Sequence, residues 1–142
     1  MIREIQTEDA PAIAAIICES LGYETDGETV GAQIATIASD GHYLSLVWVD
    51  DEGTVVGFIH AVEYQTLHRD GGWDVISLAV ARARQGEGIG SELLRGFEER
   101  IVQRGASYVR LNSRVERSLA HAFYERRGYT SDKLQKRFIK TL

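Results

Sequence analysis

The sequence predicts a mixed α/β sheet held in one layered domain. Segments with strand patterning and segments with helix patterning alternate along the whole chain, in the order β-α-α-β-β-β-α-β-α-β. Its 142 residues suffice for one sizeable core. No internal repeat, low-complexity stretch or linker marks a second domain, so residues 1–142 read as a single unit. The third observation is the stretch Asp74–Phe97, where a strand pattern passes through a glycine loop into a helix pattern.

Ile2–Ile5 reads as a first strand. Thr7 or Asp9 can cap a helix with Pro11 in its first turn. Ile13, Ile16, Ile17 and Leu21 form the apolar stripe of that helix, and Gly22 stops it. Cys18, beside Ile17, is expected as a core thiol. The polar connection GYETDGE leads to a helix over Thr29–Ser39, with Val30, Ile34 and Ile37 on one side. Tyr43–Val49 and Thr54–Tyr64 read as a hairpin around the turn Asp50–Gly53. The loop Gln65–Trp73 precedes a central strand, Asp74–Val80. A helix from about Gly90 to Arg104 ends at Gly105. Ser107–Asn112 is a further strand, Leu119–Arg127 a short helix ended by Gly128, and about Lys136–Lys140 a last strand.

The glycine stretch carries the first chemical signal. Gly86, Gly88 and Gly90 alternate at the point where Ile89, Leu93, Leu94, Phe97 and Ile101 begin to recur at helical spacing. Glycines let backbone N–H groups turn toward an anion, and the new helix end adds free N–H groups and a positive dipole. A P-loop would need a lysine after its last glycine, and none follows Gly90. The dinucleotide fingerprint needs Gly-x-Gly-x-x-Gly directly after a strand, but Ala81–Gln85 intervenes and the spacing is Gly-x-Gly-x-Gly. The run Gln85-Gly86-Glu87-Gly88-Ile89-Gly90, with Leu78-Ala79-Val80 before it and Ser91-Glu92-Leu93-Leu94 after it, resembles the coenzyme A pyrophosphate loop of the GNAT acyltransferases.

A second segment strengthens that resemblance. Ala120-His121-Ala122-Phe123-Tyr124-Glu125-Arg126-Arg127-Gly128-Tyr129 is similar to the family's Ala-x-x-Phe-Tyr-x-x-x-Gly-Tyr/Phe motif. Many members carry Asn three residues before that Ala, where this chain has Arg117. One branch has Arg there, followed by Ala-His-x-Phe-Tyr, and often closes on Phe-x-Lys-x-Leu, as Phe138–Leu142 does here. That branch includes acetyltransferases of small amines, among them aminoalkylphosphonates. The element order also matches the family's, so the similarity covers nearly the whole chain. It implies a mainly antiparallel sheet flanked by helices, acetyl-CoA as co-substrate, and, as relatives often show, a homodimer.

The composition fits an ordinary soluble globular protein. Hydrophobic residues make up 44% and charged residues 26%. The net charge of −5 argues against a nucleic-acid binder. The start MIREIQTEDA lacks an apolar signal core and no run is long enough to span a membrane, so a cytoplasmic location is expected. One cysteine allows no internal disulfide. His42, His60, His68 and His121 are scattered, and no metal site is expected. Arg82, Arg84, Arg110, Arg114 and Arg117 are the positive groups available to a polyanionic ligand.

The chemistry of acetyl transfer sets what to look for. A neutral amine attacks a thioester, a backbone N–H steadies the oxyanion, and the departing thiolate takes a proton. The resemblance implies that Leu78, Ala79 and Val80 line the pantetheine arm, with the N–H of Val80 as oxyanion donor. It places Gln85, Gly86, Glu87, Gly88, Ile89, Gly90 and Ser91 on the pyrophosphate, Asn112 and Arg117 against the cofactor, and Tyr124 as general acid. The base stays open. Many relatives have Glu where this chain has Ser77. Asp74 is the nearest carboxylate on that strand, Glu63 and His60 are alternatives, and a water chain can serve instead. His121, one turn before Tyr124, faces either the cofactor or a structural hydrogen bond.

The expected acceptor wall combines Tyr23–Glu28, Glu63 and His68–Asp70. Its charge is mostly acidic, from Glu24, Asp26, Glu28, Glu63 and Asp70 against Arg69, which favours cationic amines. The branch resemblance points instead to amines carrying a phosphonate, with Arg69 and Arg114 as suppliers of positive charge. No residue looks like an acyl-carrying nucleophile, so direct transfer to a small amine is expected. A protein amino terminus or lysine as acceptor, and a non-catalytic acyl-CoA-binding module, are the rival readings.

Overall fold

The computed structural model describes residues 1–142 and divides them into two compact units, residues 1–111 and residues 112–142.

The first unit is built on a five-stranded sheet in the order β1-β2-β3-β4-β5. Its strands are Ile2–Glu4 (β1), Tyr43–Val49 (β2), Val55–Tyr64 (β3), Gly72–Val80 (β4) and Val109–Leu111 (β5). The first four pair antiparallel and β5 runs parallel to β4. The helices are α1 (Ala10–Ile16), α2 (Gly27–Ile37) and α3 (Ile89–Gln103).

Strand alternation sends β2 and β3 side chains to opposite faces. Val47, Val49, Phe58 and Ala79 pack with Ala10, Ile13, Ala14 and Ile16 of α1 and Val30 and Ile34 of α2. The other face meets α3, whose Leu93, Leu94, Phe97 and Ile101 are buried. Phe97 packs edge-on against Trp73 of β4, ring centres 6.0 Å apart. Gly57 of β3 lies under the start of α3. A Cβ there would come within 3.1 Å of both Ile89 and Leu93, so a larger residue would need those side chains to give by a few tenths of an ångström.

The helix ends follow local chemistry. Asp26 caps α2 by accepting from the N–H of Thr29 at 2.7 Å. Gly22 and Gly105 both have φ in the left-handed region that favours glycine. Asp9 does not cap α1 with its side chain. It takes the N–H of Gln6 at 2.8 Å and a two-pronged ion pair from Arg3.

Past Ile16 the last turn of α1 widens to π geometry over Ile17–Leu21. Cys18 lies at the margin of the Ile13–Ile17 stripe, and the wider turn leaves it exposed instead of in the core. Its thiol contacts the Thr25 carbonyl at 3.4 Å.

The second unit contains α4 (Ser118–Glu125), followed by Gly128 with φ of 89°. The expected strand over Lys136–Lys140 does not form. These residues enter no ladder, and Leu134, Phe138, Ile139 and Leu142 are exposed. Apolar residues at strand-like spacing make a strand only where a neighbouring backbone pairs with them. No helix of the chain is long and apolar enough to cross a membrane.

Candidate active site

The centre of the first unit's site is a defect in β4. Ser77 pairs with His60, yet Val75 pairs with Ala61, so Ile76 is one extra residue in the ladder. Its side chain is half exposed. The pairing of β4 with β5 runs Trp73 to Val109, Asp74 to Arg110 and Val75 to Leu111. It stops at the residue before the bulge. From Ile76 to Val80, β4 therefore has β3 on one side and no strand on the other.

The open edge presents hydrogen-bonding groups. Ala81 donates its N–H to Val56 of β3 at 2.8 Å. Alternation then turns Ala79 toward β3 and turns the N–H and C=O of Leu78 and Val80 away from it. Of the three expected cofactor contacts here, Leu78 and Val80 offer backbone groups to the open side. Ala79 instead puts its amide in the ladder and its side chain in the core under α1 and α2. The carbonyl of Val80 already accepts from Ser20 Oγ at 2.8 Å and from Gln85 Nε2 at 3.2 Å. Its N–H is left pointing to the cleft.

Next comes the glycine loop. Gly86 and Gly88 have φ of 84° and 86°, and nothing lies within 4 Å of a Cβ at either. The glycines serve conformation, not close packing. Gly88 is the N-cap of α3 and has no side chain to satisfy it. The first i to i−4 bond of the helix is Glu92 N–H to Gly88 at 3.0 Å. The N–H groups of Ile89 and Gly90 thus have no partner within the helix and lie at its positive end. This geometry fits a diphosphate.

The loop arginines are tethered, Arg84 by carboxylates and the Arg82 guanidinium by a backbone carbonyl. Arg84 bonds Glu87 at 2.7 Å and Asp50 at 3.0 Å. Arg82 is fixed to Glu19, its N–H reaching that side chain at 3.0 Å and its guanidinium the backbone carbonyl. They brace the loop against β2's turn and the end of α1.

The bulge also sets which side chains share a face. Asp74, His60, Ser77 and Ser45 all lie on the α1–α2 side, because the extra residue reverses the alternation of β4. Ser45 Oγ and His60 Nδ1 are 2.7 Å apart. The His60 ring stacks on Tyr43, with centres 5.7 Å apart and planes 3° from parallel. Burial lowers the His60 pKa below its usual 6.5. Asp74 is raised by burial, with Arg110, 3.2 Å away, opposing the shift.

Three residues of the expected acceptor wall have partners of their own. Asp26 is committed to its cap, which holds its pKa low. Glu63 lies 4.0 Å from His42. Arg69 stacks on Tyr108, 3.6 Å from the ring centre. An open depression of about 190 Å³, lined by Glu4, Asp40 and Arg104 among others, lies at the end of α2 away from the open β4 edge.

In the second unit, Tyr124 is wedged between aromatic rings. Phe123 and Tyr129 lie at 5.1 and 5.7 Å, both tilted toward edge-on. Burial raises its pKa above 10, with the positive charge of Arg117 opposing. Arg117 is exposed at the N-cap of α4, and Asn112 is exposed at the start of the unit. His121 Nε2 donates to the Arg114 carbonyl at 2.8 Å, so its ring has a structural bond. Sequence reasoning missed Ser20, Glu19 and Asp50, which brace β4 and the loop. They lie far from the motifs in sequence, and no local pattern marks them.

Comparison with known proteins converges on one family. Residues 2–129 match the acetyltransferase (GNAT) family. An aminoalkylphosphonate N-acetyltransferase of Salmonella typhimurium is 33% identical over 99% of this chain and 90% of its own length. Among solved structures, a transcriptional regulator from Bacillus halodurans superposes with a TM-score of 0.88 at 21% identity, covering 99% of both chains. An aminoglycoside 6'-N-acetyltransferase from Acinetobacter baumannii gives 0.83 at 14% identity, covering 100% of this chain and 98% of the other. At these identities the structural matches speak to the fold.

Proposed function

The chain belongs to the acetyltransferase (GNAT) family, and from that premise we propose that it moves an acetyl group from acetyl-CoA to the primary amine of a small molecule. The enzyme class follows from the family. The donor, the acceptor and the residue roles are the proposal. The observation that carries it is the pairing of an open β4 edge with the uncapped, glycine-led start of α3.

In this reading the N–H groups of Ile89, Gly90 and Ser91 hold the diphosphate, with Gln85, Gly86, Glu87 and Gly88 shaping the loop. The backbone of Leu78 and Val80 extends the sheet by hydrogen bonding the pantetheine amides. The Val80 N–H donates to the thioester oxygen as negative charge develops on it. Tyr124, kept protonated by burial, gives its proton to the departing thiolate. Asn112 and Arg117 flank the cofactor. The two units serve as one acetyltransferase domain. The base is one of the polar groups on the α1–α2 face of the sheet, Asp74 and His60 among them.

The acceptor proposed is a small amine bearing an anionic group. Its support is the whole-length relative named for aminoalkylphosphonates, with Arg69 as a positive group of the first unit. The test is thiol release from acetyl-CoA with aminomethyl- and aminoethylphosphonate, spermidine, a diamine and an aminosugar. Preference for the phosphonates supports the proposal. Preference for the cationic amines moves the acceptor to the acidic residues around Tyr23–Glu28. Release with none of them removes the small-amine reading.

A further inference from the structure

We propose that His60 is the general base of the transfer, with Ser45 fixing its ring. This inference rests on the acetyl-transfer reading above. It comes from three relationships within the first unit. His60 is the direct cross-strand partner of Ser77, on the same face of the sheet. Paired side chains of this kind have Cβ atoms roughly 4.5–5.5 Å apart. Ser77 is small and only half-buried, and Val80 follows three residues later on the same strand.

The ring is held in two ways. Nδ1 is 2.7 Å from Ser45 Oγ, and Ser45 is buried. The face of the ring rests on Tyr43. With the proton on Nδ1, the ring donates to Oγ and the Nε2 lone pair is left to work. Burial alone lowers the pKa, which keeps the ring neutral near pH 7.

The other titratable groups of the first unit are less suited. Asp74 lies on this same face, diagonal to His60, and is ion-paired with Arg110. Glu63 and His42 are exposed at the end of the hairpin. His68 is exposed in a loop.

The step balances as follows. The neutral amine attacks the thioester carbon, a C–N bond forms, and the nitrogen becomes acidic. One of its protons passes to Nε2 of His60. The C–S bond then breaks, and the thiolate takes the proton of Tyr124. Solvent removes the proton from the imidazolium and restores that of the phenolate.

The experiment compares wild type with His60→Gln, Ser45→Ala and Asp74→Asn. It measures turnover against pH with acetyl-CoA and the best acceptor of the amine panel, and CoA binding by calorimetry. His60→Gln is expected to lose about a hundredfold in kcat and the acid limb of the profile, with CoA affinity unchanged. Ser45→Ala is expected to lose about tenfold, because the ring loses its orientation. A His60→Gln enzyme within about twofold of wild type, its acid limb intact, overturns the proposal. So does an acid limb that disappears only in Asp74→Asn. A wild type inert toward every amine removes the transfer reading and the base together, an outcome distinct from these. If His60→Gln does not fold, nitrogen-15 NMR of the wild type decides: a proton on Nδ1 supports the assignment, and one on Nε2 overturns it.

Discussion

The hydroxyl of Ser20 donates a 2.8 Å hydrogen bond to the carbonyl of Val80, joining residues 60 apart in sequence. The wide turn that ends α1 thereby holds the last residue of β4, whose N–H is the proposed oxyanion donor. Ser20→Ala leaves only the 3.2 Å bond from Gln85 on that carbonyl. We expect about 1 kcal/mol lower stability in thermal melts and kcat reduced about threefold to tenfold. Unchanged kinetics would show that Gln85 alone suffices to hold the strand end.

Gly88 separates two effects that are usually confounded. Its φ of 86° makes any side chain strained, and the space around it is open. Gly88→Ala adds strain of about 1–2 kcal/mol. Gly88→Asp adds the same strain and a carboxylate beside the N–H groups of Ile89–Ser91. CoA binding by calorimetry is expected to weaken in both, and about tenfold more in the aspartate. Equal loss in the two variants would mean that the loop's shape matters and its anion site does not.

Tyr124→Phe keeps the ring that Phe123 and Tyr129 pack against and removes the hydroxyl. Turnover is expected to fall about a hundredfold with little change in CoA affinity. The raised pKa fixes the sign of the pH effect. The hydroxyl is protonated at and below its usual 10.0, so Tyr124 produces no loss of activity between neutral pH and that value. A basic limb that begins near pH 8 and vanishes in Tyr124→Phe would contradict this assignment.

Arg3 and Asp9 tie β1 to the turn before α1. Asp9 is 6% exposed, and Arg3 binds both of its oxygens at 2.7 and 2.8 Å. The hydrogen bond from Arg3 is the main reason its pKa lies below the usual 3.8, burial opposing. A depressed carboxylate stabilises the fold above its unfolded pKa and ceases to as pH falls through the folded one. Asp9→Asn is expected to cost about 2 kcal/mol at pH 7 by chemical denaturation. The gap between variant and wild type should narrow as pH falls below the usual 3.8 and through the depressed folded value. A gap that does not narrow at all as the pH is taken down would assign the loss to packing.

Much of this was readable from residue types alone. The bounds of β2 and the stops at Gly22, Gly105 and Gly128 followed from alternation and from glycine's tolerance of positive φ. The glycine loop was legible because the positive φ of Gly86 and Gly88 constrains the sequence directly. The bulge was not. Val75-Ile76-Ser77 carries no glycine or proline, and only the register against β3 reveals the extra residue. Nor could charge content show that the Arg84 guanidinium is already committed to Asp50, or that of Arg82 to the Glu19 backbone carbonyl. Lys136–Lys140 failed as a strand because periodicity describes what one segment offers and says nothing of whether a partner is present.

Ile76 also divides β4 into two frames of opposite parity. Before it, odd-numbered residues face α3, as Trp73 does against Phe97; after it, odd-numbered Ala79 packs under α1 and α2. Deleting that one residue would therefore not merely shorten the strand. It would rotate every upstream side chain by half a turn, driving Asp74 into the apolar layer and Trp73 out of it. A gap of one at this point in a related sequence thus signals a different active-site floor, even where all the motif residues are retained.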